Sequence, residues 1–207
     1  MTMARVSRLL VALMLALPPI VFAHAADEPW ILKLGVDNVD PKSNNGSLAG
    51  NTLAAQVGSS TRPTLTAEYL VTPNVGIELI AAWPFKHEVS LNGTEAATTE
   101  ELPPTLSVQY HFFPRAQISP FIGIGLNYTR FFDVQERGPL AGTNLDLRDS
   151  WGIATHLGVD CRLNSRWLVG ADVRWIDIST VATVNGTRVG TVSVDPWVFG
   201  AYVGFRL

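Results

Sequence analysis

The chain predicts an all-β protein, an eight-stranded antiparallel transmembrane β-barrel with long extracellular loops and short periplasmic turns. Three observations lead there. Apolar and polar residues alternate in segments of about ten residues, the length a tilted strand needs to cross a bilayer. The connections between segments are long and short in strict alternation. The 207 residues are 47% hydrophobic and only 16% charged, yet no apolar run in the body of the chain reaches helix-spanning length. The last segment is the plainest case. Trp197, Phe199, Ala201, Val203, Phe205 and Leu207 share one face, and Val198, Gly200, Tyr202, Gly204 and Arg206 the other. A barrel can finish on such a strand because its last strand closes on its first.

Residues 1–25 read as a cleaved secretory signal peptide. Arg5 and Arg8 precede the apolar stretch Leu9 to Phe22, and Ala23, His24 and Ala25 fit the small-x-small cleavage pattern. Pro18 and Pro19 disfavour a retained helix. Residues 26–207 then form the barrel domain. Its strands are predicted at 30–38, 64–71, 75–83, 105–113, 120–130, 150–161, 167–176 and from about 194 to the end. The connections 39–63, 84–104, 131–149 and 177–193 are long and read as exposed loops rich in Gly, Asn, Thr and Pro; 72–74, 114–119 and 162–166 are short turns.

All six tryptophans fall on the outward face near strand ends. Trp30 and Trp167 mark the periplasmic edge, and Trp83, Trp151, Trp175 and Trp197 the extracellular one. Tyr69, Tyr110, Phe112 and Phe205 extend the lower ring, and Tyr128 the upper. Paired aromatic girdles mark two membrane interfaces. A lipocalin-like soluble barrel is the rival at fold level, and it would turn the same aromatic face inward.

The inward set mixes acids and bases: Lys33, Asp37, Glu68, Glu78, His111, His156, Asp160, Asp172, Arg174 and Arg206. Buried charges cost several kcal/mol unless paired, so the expected ion pairs are Glu78 or Asp172 with Arg174, and Glu68 with Arg206, with Lys33 and Asp160 in the same lower lumen. Such a set either gates a pore or fills a static plug. Inward glycines such as Gly76, Gly123 and Gly170 either shape a passage or let charged side chains fit. Near the upper mouth, Ile80, Ala82, Phe85, Phe131, Phe132 and Ala154, with Leu48 or Leu53, form a candidate apolar funnel. Pro84, Pro103 and Pro104 lack the ladder donor and interrupt strand pairing near the rim, where a gap would permit sideways exit.

Other chemistry finds little support. A net charge of −3 argues against nucleic acid. Cys161 is the single cysteine, which excludes an internal disulfide framework, and four scattered histidines make no metal site. No cofactor is expected. His87, Glu88 and Ser90 are neighbours, but consecutive loop residues seldom converge on one substrate atom, so a solvated loop is the better reading and an enzyme is not expected. Asn45-Gly-Ser, Asn92-Gly-Thr, Asn127-Tyr-Thr and Asn185-Gly-Thr match glycosylation acceptors, a pattern short enough to arise by chance.

Several segments carry a family resemblance: Asn74 to His87 with its Pro84-Phe85-Lys86-His87, Leu102-Pro103-Pro104-Thr105, Pro120 to Asp133, Asp149-Ser150-Trp151-Gly152 with Gly158-Val159-Asp160, and Asp195-Pro196-Trp197-Val198. In this order they resemble the OmpW family of small outer-membrane barrels. The resemblance implies a narrow lumen, passage of small hydrophobic molecules with lateral exit into the membrane as one route, weak ion conduction, and links to stress adaptation and surface recognition. Two departures stand out. The family usually ends in phenylalanine, whereas this chain ends in Leu207 with Phe205 in phase. Ile80 matches an aliphatic position that narrows the lumen in relatives, but Arg174 stands at the facing aromatic position, with Trp175 beside it.

The expectation is therefore a bacterial outer-membrane channel for passive passage of small, mainly hydrophobic molecules. Its partners would be outer-membrane lipid, lipopolysaccharide and the solutes themselves. The alternative is a structural or surface-recognition barrel with a closed lumen, a phage or host receptor.

Overall fold

A computed structural model describes residues 29–207, so the expected signal peptide lies outside the described residues. Fifteen strands and one short 3₁₀ turn follow in chain order. They are β1 (Trp30–Asp40), β2 (Ser47–Leu48), β3 (Leu53–Val57), β4 (Ser60–Leu70), β5 (Val75–Ala82), β6 (Phe85–Leu91), β7 (Thr94–Leu102), β8 (Thr105–His111), β9 (Ile118–Glu136), the turn Gly138–Leu140, β10 (Leu145–Leu147), β11 (Ser150–Arg162), β12 (Trp167–Ile176), β13 (Ser179–Val184), β14 (Thr187–Ser193) and β15 (Trp197–Arg206).

Eight of these close into an antiparallel barrel in the order β1, β4, β5, β8, β9, β11, β12, β15. The final strand returns to the first, with Leu34 opposite Val203 and Asp37 opposite Gly200. Closure gives each of the eight strands a partner on both sides, which is the condition for strands to span a membrane. The outward face is an apolar band: Leu34, Val36, Leu106, Val108, Ile122, Ile124, Leu126, Leu157 and Val203 are all exposed. Aromatic pairs bound it. Trp30 meets Tyr69 at 5.0 Å and Trp167 meets Phe205 at 4.9 Å at one end. Tyr128 meets Trp151 at 4.7 Å at the other.

The long connections differ from their reading as loops. β9 runs 19 residues, far beyond the expected end at Arg130. Its outer half pairs with β7, from Arg130 opposite Leu102 to Glu136 opposite Ala97. β7 continues the sheet through β6 and β3 to β2, while β10, β13 and β14 form a separate small sheet. The extracellular segments are thus folded hairpins standing on the barrel. Two of them turn at Asn92-Gly93 and Asn185-Gly186, where both residues have positive φ (50° and 80°, 50° and 78°). That is the geometry of a tight two-residue hairpin turn, and Asn-Gly is its preferred sequence.

Candidate functional site

Three layers stack along the barrel axis, and the inward residues of the eight strands set the lowest. Glu68 and Glu78 are direct cross-strand partners on β4 and β5, an arrangement that repels unless a cation intervenes. Lys33 supplies it, with Nζ 2.9 Å from Glu68 Oε2 and 3.4 Å from Glu78 Oε2. Arg174 Nη2 donates to Glu78 Oε1 at 2.8 Å and lies 3.7 Å from Asp172. On the periplasmic side His111 Nε2 lies 2.7 Å from Glu68, and Tyr202 donates to Asp160 at 2.7 Å. The Lys33 ammonium also stands over the Phe121 and Tyr202 rings at 5.3 and 5.0 Å. Inward glycines make room for this packing: a Cβ on Gly76 would run into the Glu68 carboxyl, and one on Gly123 into the His156 ring. Two crevices in the lumen are about 10 Å³ each, roughly one water apiece.

An apolar layer lies above. Val39, Phe85, Ala154, Ile176, Ile178, Val194 and Val198 form one buried cluster, with Ala82 and Phe131 against it. Higher still, the folded hairpins enclose a cavity of about 190 Å³. Its walls are aliphatic, from Leu48 and Leu53 round to Val189 and Val192, with Phe131 also lining it. Among its few polar side chains are His87 and Glu101, each 1% exposed, with His87 Nε2 3.3 Å from Glu101 Oε1. The Gly58 carbonyl accepts from His87 Nδ1 at 2.6 Å. Burial disfavours the charged imidazole, but the adjoining Glu101 carboxylate and the Gly58 carbonyl outweigh it, so the His87 pKa stands above its ordinary 6.5.

A break in the ladder adjoins this cavity. Pairing between β5 and β8 ends at Ile80 opposite Thr105. It resumes between β6 and β7 at Phe85 opposite Glu101. Residues 81–84 and 102–104 thus face one another without a ladder, and Pro84, Pro103 and Pro104 all fall there. Asn127 Nδ2 ties the Pro103 and Pro104 carbonyls at 3.1 and 3.4 Å and Thr105 Oγ1 at 3.0 Å.

The expected site residues fall unevenly across this arrangement. Ile80, Glu78, Asp172 and Arg174 line one crevice together, in the upper lumen. Lys33, Glu68 and Asp160 belong to the lower network. Arg206 does not pair with Glu68, whose oxygens are taken by Lys33 and His111; it lines the periplasmic crevice with Asp160 and Arg162. Of the expected funnel, Phe131 lines the cavity, Phe85 and Ala154 lie in the layer beneath, and Ala82 packs on that layer. Phe132 is absent from both, since the residue after Phe131 on a strand turns to the opposite face. His87 is not in a solvated loop with Glu88 and Ser90. It is buried on β6, and its partner Glu101 was not singled out by the sequence. The alternation of Phe85, His87, Val89 and Leu91 against Lys86 and Glu88 carried that signal.

The closed barrel, its apolar band and its aromatic edges define a membrane-spanning barrel protein of the outer-membrane class. Comparison with known proteins makes the assignment specific, and residues 28–207 match the model of the OmpW family. Outer membrane protein W of Salmonella typhimurium is 39% identical over 193 residues, covering 89% of this chain and 91% of that protein. The crystal structure of OprG from Pseudomonas aeruginosa superposes with a TM-score of 0.80 at 35% identity, over 89% of this chain and 98% of that one. A Pseudomonas aeruginosa protein named as the dibenzothiophene metabolism operon protein PahQ is 25% identical over 77% of this chain and 78% of its own length. The chain belongs to the OmpW family and is an outer-membrane β-barrel protein.

Proposed function

We propose that the protein is a passive channel for small, mainly hydrophobic molecules. They would enter the extracellular cavity and leave sideways through the unpaired segment into the membrane. One observation carries the reading: an apolar cavity of about 190 Å³ sits above a lumen packed with paired charges and beside a break in the strand ladder. An apolar solute gains from the cavity and loses on entering a charged lumen, so its favourable path is lateral. Dibenzothiophene, which the name of one relative carries, is an apolar heterocycle and agrees with this class. No covalent chemistry is required, and the outward band would rest in lipid and lipopolysaccharide. Uptake of naphthalene by cells is the test. Deleting the protein, or filling the cavity with Val189→Trp, is expected to lower it several-fold; unchanged uptake in both would overturn the reading.

The folded hairpins support a second reading, a surface platform bound by a phage or host molecule. Loss of such binding on trimming residues 39–63, with naphthalene uptake unaffected by deletion, would favour it.

A further inference from the structure

The two ends of the barrel differ in charge. Among the described residues, the charged side chains of the periplasmic turns 71–74, 112–117 and 163–166 are Arg115 and Arg166, both exposed. Arg162 and Arg206, half-buried at the last rungs of β11 and β15, complete a set of four arginines with no acidic side chain in the turns. The acids of the adjoining lumen layer are committed elsewhere: Lys33 and His111 hold Glu68, and Tyr202 donates to Asp160. None of the four arginines forms an ion pair among the described residues. The extracellular hairpins, by contrast, carry more acids than bases.

Backbone contacts hold the cations in one rim. Arg162 N donates to the Gln117 carbonyl at 2.8 Å, and its Nη1 to the Arg115 carbonyl at 3.5 Å. Arg206 N donates to the Arg166 carbonyl at 2.8 Å. Two of the turns adjoin the aromatic edge, where Tyr110 meets Phe112 at 5.3 Å and Trp167 meets Phe205 at 4.9 Å. The rim is apolar as well as basic. Phe113, Ile118 and Leu163 are 63%, 59% and 60% exposed. Large bare apolar side chains beside unpaired guanidinium groups suit neither plain water nor hydrocarbon. They suit the boundary between the two, where acyl chains cover the first and phosphates neutralise the second.

We infer that this rim is a docking surface for anionic phospholipid of the periplasmic leaflet, with the phosphate drawn to Arg115 and Arg166 and the acyl chains over Phe113, Ile118 and Leu163. Charge complementarity selects the occupant. A guanidinium presents a phosphate with two N–H donors in a fork, and a zwitterionic head group, which carries its own cation, gains less from it. Continuity with the lipid-facing surface agrees: Ile118 opposes Cys161 at the foot of the outward face. A basic side chain next to an anionic membrane surface is worth roughly fivefold in binding. The surface lies at the opposite end of the barrel from the cavity, so the inference holds whatever route a solute takes.

The test is lipid retention. Refolded protein in vesicles of equal phosphatidylglycerol and phosphatidylcholine is released into detergent, and the lipids still bound are identified by native mass spectrometry. We expect phosphatidylglycerol to outnumber phosphatidylcholine several-fold. Arg115→Gln with Arg166→Gln should bring the ratio close to one. Arg137→Gln with Arg188→Gln, on the extracellular hairpins, should leave it unchanged. Heat-modifiable migration reports folding for each variant. Equal retention of the two lipids by the unaltered protein would overturn the inference, as would a preference that survives loss of Arg115 and Arg166. Inorganic phosphate should not reduce the preference below that in chloride of the same ionic strength. If it does, the occupant is a soluble oxyanion and the lipid assignment fails.

Discussion

The lumen and the vestibule above it grow from the same strands, yet they hold opposite chemistry. Inside the barrel every second residue faces its neighbours across a narrow bore, and the charged side chains neutralise one another: Lys33 between Glu68 and Glu78, Arg174 between Glu78 and Asp172. Above the rim the strands diverge into hairpins, and the inward positions become Leu48, Val89, Ala97, Val189 and Val192. An eight-stranded barrel is just wide enough to be filled by side chains. The contrast teaches that a small barrel gains ligand space by extending its strands beyond the bilayer, not by widening its bore.

The largest test of this division is Glu78→Leu. It takes from Arg174 its 2.8 Å partner, leaving the 3.7 Å contact to Asp172, and removes one of the two carboxylates on Lys33. Breaking a buried pair on one side typically costs about 3–5 kcal/mol, so the urea midpoint of the refolded barrel should fall substantially. Naphthalene uptake by whatever fraction remains folded should persist, because the cavity is untouched. A stable variant that loses uptake would show that the lumen itself is the path.

Next in size is Asn127→Ala, which addresses the join between the two regions. Asn127 is fully buried and holds both proline carbonyls and the Thr105 hydroxyl beside the unpaired segment. The carbonyls keep the Tyr128 N–H and Thr105 hydroxyl as donors, but the buried Thr129 hydroxyl loses the acceptor it holds at 2.7 Å, a cost of about 1–3 kcal/mol. Amide exchange should quicken at residues 101–107 while β12 and β15 stay protected. Uniform loosening of the whole barrel would mean that the rim and the bore are one cooperative unit.

The barrel strands were legible because lipid outside and charge inside impose a strict period of two, as in Trp197 to Arg206. The vestibule was harder to read for definite reasons. On β9 the alternation breaks at Phe131-Phe132-Asp133; Asp133 has a φ of 49°, and the pairing with β7 slips a residue between Thr98 and Glu100. That bulge reads as a strand end in sequence. Pro63 hid the start of β4 in the same way, although it pairs with Val36. The Asn-Gly pairs at 92 and 185 did announce hairpins, but in a chain full of glycine and asparagine they passed as loop residues. Ion-pair partners depend on register across strands. Glu68 therefore found Lys33 on the neighbouring strand rather than the more distant Arg206, which periodicity alone does not reveal.

A smaller effect concerns pH, and it should appear in the vestibule alone. The raised His87 pKa means that the folded state binds the proton more tightly than the unfolded chain, whose value is about 6.5. The resulting stabilisation is fully present below that value and is lost as pH rises through the higher folded-state pKa. Proteolysis within residues 84–104 should therefore be slowest in mild acid and quicken toward alkaline pH, and His87→Phe should flatten the profile. A profile that runs the other way would remove the imidazolium from the cavity wall.

The smallest expected effect is the control for all of these. Arg137 and Glu95 form a 2.8 Å ion pair on the outer surface of the hairpins, and both side chains are more than 40% exposed at 46% and 44%. Water and salt screen such a pair, and exposed pairs contribute about 0.2–1 kcal/mol at most. Arg137→Ala should leave the urea midpoint within error and any shift should vanish in high salt, although its 2.8 Å separation matches that of Arg174 and Glu78. The two pairs share that distance but differ in burial and in the Lys33 and Asp172 charges that join the inner one. A large loss at Arg137 would mean that the hairpins, like the bore, depend on charge pairing, and the contrast between the two regions would fail.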